Sequence, residues 1–429
     1  MAVQQDDVSI ASLADRVSAL SKSITSYIDT SGYGQPNFTR SSPAVPETAE
    51  YEALRNQLND AVLDLHRLVN GPKNLFRTQG YSCADAATTQ VALSRKYFEH
   101  VPADDTGISA AELAEKAGMD EDRTNRFLKM LATQRVFEEV EDKFRHTAAS
   151  YFLKTSKFAA MADMSYDDTF KAAMEMNKHI EESPFSSGLK NCAWYRKYNM
   201  NFYDFLETDP EKALRFSNAM AGWSLVDNSV NVLRNGFDWE SLQNKKVVDI
   251  GGGNGHISID LAKHYPSLSF VVQDVSVYQL STTQSTEIQD RVTFQKYNYF
   301  TPQPVRDAAI YFYRVCFHNN NDEESVKMIR AIVPALENRD DEPRLLISDT
   351  IVPERAQGAI TRSEEHQHRQ QDMIMLTYFG GKERTEKNWR QLLEMADKRL
   401  EIVNINYSPS GAGLLEIRLK QEPGSVSTP

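Results

Sequence analysis

The sequence predicts an α/β fold: an open, mostly parallel sheet of Rossmann-like type in the C-terminal half, behind a mainly helical N-terminal half. Three observations carry this expectation. After Lys246, short apolar runs alternate with amphipathic stretches (VVDI, HISIDLAKHY, FVVQDV, AAIYFYRV, SVKMIRAIVPAL, RLLISDTIV), the texture of strands and helices wound into one sheet. The first run empties into a glycine-rich turn, Gly251-Gly252-Gly253-Asn254-Gly255. Ahead of Lys246 the apolar spacing is helical almost throughout.

Taken in order, residues 1–50 read as a polar N-terminal helix followed by a flexible linker or exposed loop, TSGYGQPNFTRSSPAVPET, rich in Ser, Thr, Pro and Gly. From Tyr51, the residues Leu54, Leu58, Val62, Leu63 and Leu65 mark an amphipathic helix that should stop at Asn70-Gly71-Pro72. Ser109 and Glu112 form a capping box opening a helix that closes on Gly118, and a second helix runs through Phe127, Leu128 and Leu131. Two short strands flanking Glu141-Asp142-Lys143 then complete a winged-helix pattern over residues 51–150. That shape serves DNA recognition or, equally, packing and dimerisation; the charge-mixed second helix and acidic flanks favour the latter. Residues 151–240 read as Met- and aromatic-rich helices suited to an apolar substrate pocket. Residues 241–420 hold the sheet, ending in a hairpin of Asn404–Tyr407 and Leu414–Leu419, and 421–429 form a frayed tail.

At 429 residues the chain has room for two domains. A net charge of −12 argues against nucleic acid as a partner, because duplex binding draws on clustered Lys and Arg. Cys83, Cys192 and Cys316 form neither a CxxC pair nor an even framework, so no zinc site and no disulfide scaffold is expected. The N-terminus lacks a signal-peptide pattern and no run of about 18 apolar residues occurs, which predicts a cytoplasmic protein with no membrane partner. His366-Gln367-His368 would point two imidazoles to different helix faces, so no metal is expected there. Serine hydrolysis lacks a Gly-x-Ser-x-Gly elbow, and Arg339-Asp340-Asp341-Glu342-Pro343 reads as a solvated loop.

The glycine turn carries the chemistry. Close backbone approach to a ligand needs those glycines. A dinucleotide fingerprint starting at Gly251 would put its last glycine at His256, and a Walker loop would need Gly-Lys-Ser or Gly-Lys-Thr. What remains is Asp249-x-Gly251-x-Gly253-x-Gly255, with Asp274 ending the next apolar run, where a carboxylate can accept from both hydroxyls of a ribose. Nothing in the turn supplies positive charge for a pyrophosphate. The pattern suits S-adenosylmethionine, an adenosine joined to an amino acid without phosphate.

From about residue 50 onward the chain resembles the plant and fungal O-methyltransferases related to caffeate O-methyltransferase. The segment Gly380-Gly381-Lys382-Glu383-Arg384-Thr385 with Trp389, together with Phe216-x-x-x-Met220, Asp372-x-x-Met375 and Asp349-x-x-x-Pro353-Glu354, carries the resemblance. It implies a class I methyltransferase domain, an N-terminal winged-helix dimerisation domain and a homodimer. It also implies His318 as the base that deprotonates a substrate hydroxyl, with Asp349 and Glu383 holding its imidazole. That is chemically sensible, since a phenol of pKa about 10 needs a base and imidazole, near 6.5, is the usual one. Carried over likewise, Gly251, Gly253 and Gly255 approach the amino-acid moiety, Asp274 the ribose, Asn298 and Tyr299 the adenine, and Arg314 stands for the family's Lys. Phe216, Met220, Trp223, Asp372 and Met375 are the implied substrate-pocket residues.

Two departures stand out. Asn298 is neutral where the family usually has Asp, and the family's His-Asp-Trp reads His318-Asn319-Asn320. Some fungal relatives of the family keep S-adenosylmethionine without transferring its methyl and steer dehydration or pericyclic ring closure. The sequence therefore predicts an O-methyltransferase acting on an aromatic or polyketide-type secondary metabolite. The alternatives are a cofactor-bound cyclase or pericyclase of the same fold and a winged-helix regulatory protein.

Overall fold

Ser9 and Ser12 form a capping box that opens the first helix, Ile10–Thr30. The computed structural model describes residues 8–223, 229–275, 288, 290–354, 360–407 and 412–420; the expected tail 421–429 lies outside them. Two compact units divide the chain: Met1–Lys171 with Leu206–Val226 and Gln357–Ser363, and Ala172–Phe205 with Asp227–Ala356 and Glu364–Pro429.

In the first unit the helix Ala49–Ser94 breaks where the sequence places the stop, Gly71 taking φ 64° and ψ 170°, but a helix resumes at once. Pro72 then sits in a first turn, where its missing N–H leaves no bond unmade and its fixed φ is helical. The Pro- and Ser-rich stretch after the first helix is tied to the winged helix: the Ala148 N–H donates to the Phe38 carbonyl at 3.3 Å, and the Arg135 guanidinium lies 4.8 Å over the Phe38 ring.

The capping box at Ser109 and Glu112 forms as the sequence predicts, and Gly118 closes that helix, Ala110–Ala117, at φ 63°. The second helix spans Glu121–Thr133. Strands β1 (Ile108–Ser109), β2 (Phe137–Val140) and β3 (Lys143–His146) pair in the order β1-β3-β2. Phe98, Leu113, Leu128, Leu131, Phe137 and Phe144 form the core between helices and wing.

The second unit is built on seven strands: β4 (Lys246–Ile250), β5 (Ser269–Asp274), β6 (Val292–Lys296), β7 (Ile310–Arg314), β8 (Arg344–Thr350), β9 (Leu400–Tyr407) and β10 (Ala412–Leu419). Their order is β6-β5-β4-β7-β8-β10-β9; the first five run parallel, and β10 lies antiparallel to both its neighbours. The period of two along each strand feeds two cores. Tyr311 and Tyr313 join Val248, Ile347, Ile329 and Leu392 on one face, while Ile310 and Phe312 join Val247, Phe270, Ile257 and Leu261 on the other. This explains why the strands read as unbroken apolar runs. Strand order reverses between β4 and β7, and such a switch point opens a crevice at the carboxyl ends of the strands. The glycine turn follows β4 and His318 follows β7, so both face that crevice.

No helix among the described residues is long and apolar enough to cross a membrane. Asp340 and Asp341 are exposed, as a solvated loop requires, while the Arg339 guanidinium donates to the carbonyls of Arg306 and Ala308 at 2.6 and 2.7 Å. Leu128 is fully buried in the winged helix, so Leu128→Ala is expected to lower unfolding free energy by about 2–5 kcal/mol, measured by urea denaturation.

Candidate active site

The chain must reverse after β4 to enter the helix His256–His264. Gly251, Gly253 and Gly255 take φ of 75°, 56° and 75°, a region that only glycine enters freely. Space is as restricted as conformation: a Cβ on Gly251 would lie 2.6 Å from Cys316 Sγ, and one on Gly255 2.8 Å from the Phe294 ring. The N–H groups of Gly251 and Gly252 donate to the Gln273 carbonyl at 2.7 and 3.1 Å, and that of Gly253 donates to the Asp274 carboxylate at 3.0 Å. The turn is thereby tied to the end of β5, with Asp274 at its rim.

Asp249 lies beneath this turn. It is 2% exposed, accepts from the Ser258 hydroxyl at 2.6 Å, and burial raises its carboxyl to about 6 against the pull of Ser258 and Arg314. A side chain at Gly252 would meet its carboxylate at 2.6 Å, so Asp249 shapes the cradle from below. Arg314 ends β7. Asn298 stands on the exposed turn after β6, its Oδ1 accepting from the Phe300 N–H at 3.0 Å, and the Tyr299 hydroxyl accepts from Asn320 at 3.4 Å.

Beyond β7 the backbone is strained. Val315 takes φ 47°, an outlier for a β-branched residue and a cost of order 1–3 kcal/mol that clusters at functional sites. The reversal feeds a one-turn helix, Phe317–Asn319, which buries His318. Its Nδ1 lies 2.9 Å from Glu383 Oε1 and 3.8 Å from Asp349 Oδ1; Asp349 Oδ2 accepts from the Phe317 N–H at 3.2 Å. Glu383 therefore fixes the ring and its proton, Asp349 adds charge, and Nε2 makes no hydrogen bond among the described residues. Burial alone would lower the imidazole pKa, but the Glu383 and Asp349 carboxylates outweigh it and hold His318 at about 9. Burial raises Asp349 to about 6, against the pull of the His318 imidazolium and with the Glu383 carboxylate adding to the rise; its Oδ1 has no hydrogen-bond partner among the described residues. The same three side chains could enclose a metal ion, their ligand atoms all within 4.8 Å; the 2.9 Å Nδ1–Oε1 contact is that of a proton-bridged pair.

The segment from Gly380 to Thr385 builds the far wall. A Cβ at Gly381 would collide with the His318 carbonyl, and one at Gly380 with the Gly188 backbone. Glu383 is 4% exposed, and its N–H donates to Asp372 at 2.8 Å, so Asp372, expected in the substrate pocket, holds the acid that holds the imidazole. Arg384 is 1% exposed and donates to the carbonyls of Phe317 and Asn320 at 2.9 Å, to Ser325 at 2.9 Å and to Asp322 at 3.0 Å. It clamps the His318 turn, a role that sequence reasoning does not reveal even though the residue stands in the motif with Glu383. Ser258, Cys316 and Gln273 escape it as well, since nothing in their local pattern marks them.

Of the remaining expected pocket residues, Met375 is buried on the helix Arg362–Phe379 of the second unit. Phe216, Met220 and Trp223 lie on the helix Pro210–Trp223 of the first.

Comparison with known proteins follows the same lines. The family described as "O-methyltransferase domain" matches residues 178–397. "O-methyltransferase sol2" of Alternaria solani is 37% identical over 416 residues, covering 96% of this chain and 95% of its own. Among solved structures, OxaC in complex with S-adenosylhomocysteine and oxaline superposes with a TM-score of 0.75 at 21% identity, over 96% of this chain and 99% of its own. A structure titled "A Pericyclic Reaction enzyme" reaches 0.72 at 21% identity, over 95% and 100%. These two show a shared fold. From the residues matched and the extent of the relationship, the chain belongs to the O-methyltransferase family, whose cofactor is S-adenosylmethionine.

Proposed function

We propose that His318 is the general base that deprotonates a hydroxyl of an aromatic or polyketide-type secondary metabolite. The observation that carries this is the buried imidazole fixed through Nδ1 by Glu383 at 2.9 Å, which among the described residues leaves Nε2 without a hydrogen bond. S-adenosylmethionine supplies an electrophilic methyl on a sulfonium, whose positive charge also opposes the imidazolium. On this reading the glycine turn holds its amino-acid end, Asp274 its ribose, and Asn298 and Tyr299 its adenine, with Arg314 in the place of the family's Lys. The residues of this chain then remove the hydroxyl proton, hold it as imidazolium between two carboxylates, and align the oxygen, which is where most of the rate advantage of a displacement lies. Met375 is the apolar candidate of the second unit for the substrate side.

A second reading is supported by the same ring. An imidazole held at about 9 is a hydrogen-bond donor at neutral pH, and a charged donor suits a cyclase or pericyclase that polarises a carbonyl without methylating it. Release of S-adenosylhomocysteine separates the two readings, because only methyl transfer produces it.

We also propose a homodimer. The helix Ala49–Ser94 exposes Leu68, Val69, Phe76 and Tyr81, the last two 70% and 71% exposed, apolar surface that a second copy would cover. All three cysteines are free, in keeping with a reducing, cytoplasmic setting.

His318→Ala is expected to reduce labelled-methyl transfer by about 10²–10⁴-fold with cofactor binding retained, and dialysis against EDTA to leave the wild-type rate unchanged; a chelator-sensitive rate would favour the metal arrangement. The free-imidazole fraction grows as pH rises toward about 9, so kcat/KM should rise over that range. Glu383→Gln removes the charge that raises the pKa and leaves the burial that lowers it, so the rise should shift to lower pH as the plateau falls. Asp274→Ala should weaken cofactor binding roughly 10- to 100-fold by calorimetry, the worth of hydrogen bonds to a charged acceptor. Phe76→Glu with Tyr81→Glu should sediment as a 48.7 kDa monomer.

A further inference from the structure

The two amides beside His318 each reach a tyrosine. Asn319 Nδ2 donates to the Tyr203 hydroxyl and to the Val315 carbonyl, both at 3.3 Å. Asn320 Nδ2 donates to the Tyr299 hydroxyl at 3.4 Å and to the Cys316 carbonyl at 2.8 Å. The turn carrying the base is thus linked on one side to Tyr203 and on the other to the turn after β6. The Tyr203 ring stacks on Phe379, centroids 5.7 Å apart at 27°. The side chain is 42% exposed, and desolvation pushes its hydroxyl well above the usual tyrosine pKa, so the phenol keeps its proton. Val315, which Asn319 also binds, leads directly into Cys316, whose Sγ lies 4.0 Å from the Gly251 carbonyl oxygen, so Asn319 ties the Tyr203 hydroxyl to the backbone that packs against the glycine turn. A hydroxyl that accepts from Asn319 still has its own hydrogen to donate.

We propose that Tyr203 is a positioning residue for the cofactor: latched by Asn319, it covers the crevice between the His318 turn and the glycine turn and offers its hydroxyl proton to the bound S-adenosylmethionine. The inference rests on the glycine turn being the cofactor site. It also accounts for Asn319, a neutral amide next to the base, whose N–H donor holds the phenol without adding a charge beside the imidazole.

The test is calorimetric titration of the full-length chain with S-adenosylhomocysteine, which binds without reacting. Tyr203→Phe keeps the ring stack and removes only the hydroxyl; Asn319→Leu removes the latch from the other side. Each should weaken binding roughly 3- to 10-fold, the worth of one neutral hydrogen bond. The double variant should be no weaker than the weaker single one, because both remove the same link. Thermal unfolding of the unliganded variants should stay near wild type, the quantity a purely structural role would move instead. Unchanged affinity in both single variants, or losses that simply add, would overturn the proposal while leaving the cofactor site intact. If the wild-type chain itself failed to bind, the site and the latch would fall together.

Discussion

A histidine and two carboxylates buried within reach of one another are expensive in a medium of low dielectric, and the second unit is organised around holding them. Nearly every unusual feature near the sheet's switch point traces to that requirement. Arg384, itself a buried charge, is satisfied by two carbonyls, a serine and Asp322, and in return fixes the backbone that presents His318. The adjacent glycines let that backbone come closer than any side chain would allow. The left-handed Val315 is the distortion that turns the chain from strand to site. Removing one of these supports would leave the charge unchanged but less well solvated by the protein, which is costlier than never having buried it.

The parallel sheet was legible because strands covered on both faces read as continuous apolar runs, and the intervening helices carry their own caps and periodicity. The winged helix was legible for a different reason: Ser109, Glu112 and Gly118 specify a start and a stop by local chemistry alone. Elsewhere two local signals compete. Gly71-Pro72 halts a helix, but proline also starts one, and local sequence does not say whether the chain continues in helix beyond the break. The stretch around Phe38 has linker composition, and only the tertiary partner Arg135 reveals that it is held.

At the site, glycines and an acid at fixed spacing announce a ligand because few other uses explain them. The grouping of His318 with Asp349 and Glu383, far apart in sequence, came from resemblance rather than from any spacing rule, and the structure supplies its physics: charge, burial and a 2.9 Å bond. The raised basicity of His318 could not be read from sequence, since it is the difference between desolvation and two neighbouring charges. Asp249 illustrates the converse, a motif residue whose visible work is structural, supporting the glycine turn from below.

The position of β10 has a consequence for biogenesis. This strand follows the other nine strands of the described residues, yet it lies between β8 and β9, so during synthesis β8 and β9 have no partner across the gap until Ala412–Leu419 has left the ribosome. Until then Leu345 and Ile347 border an open edge able to recruit strands from neighbouring nascent chains. Completion of this sheet is in effect a single late insertion, and a lesion that removed Ala412–Leu419 would leave that edge open.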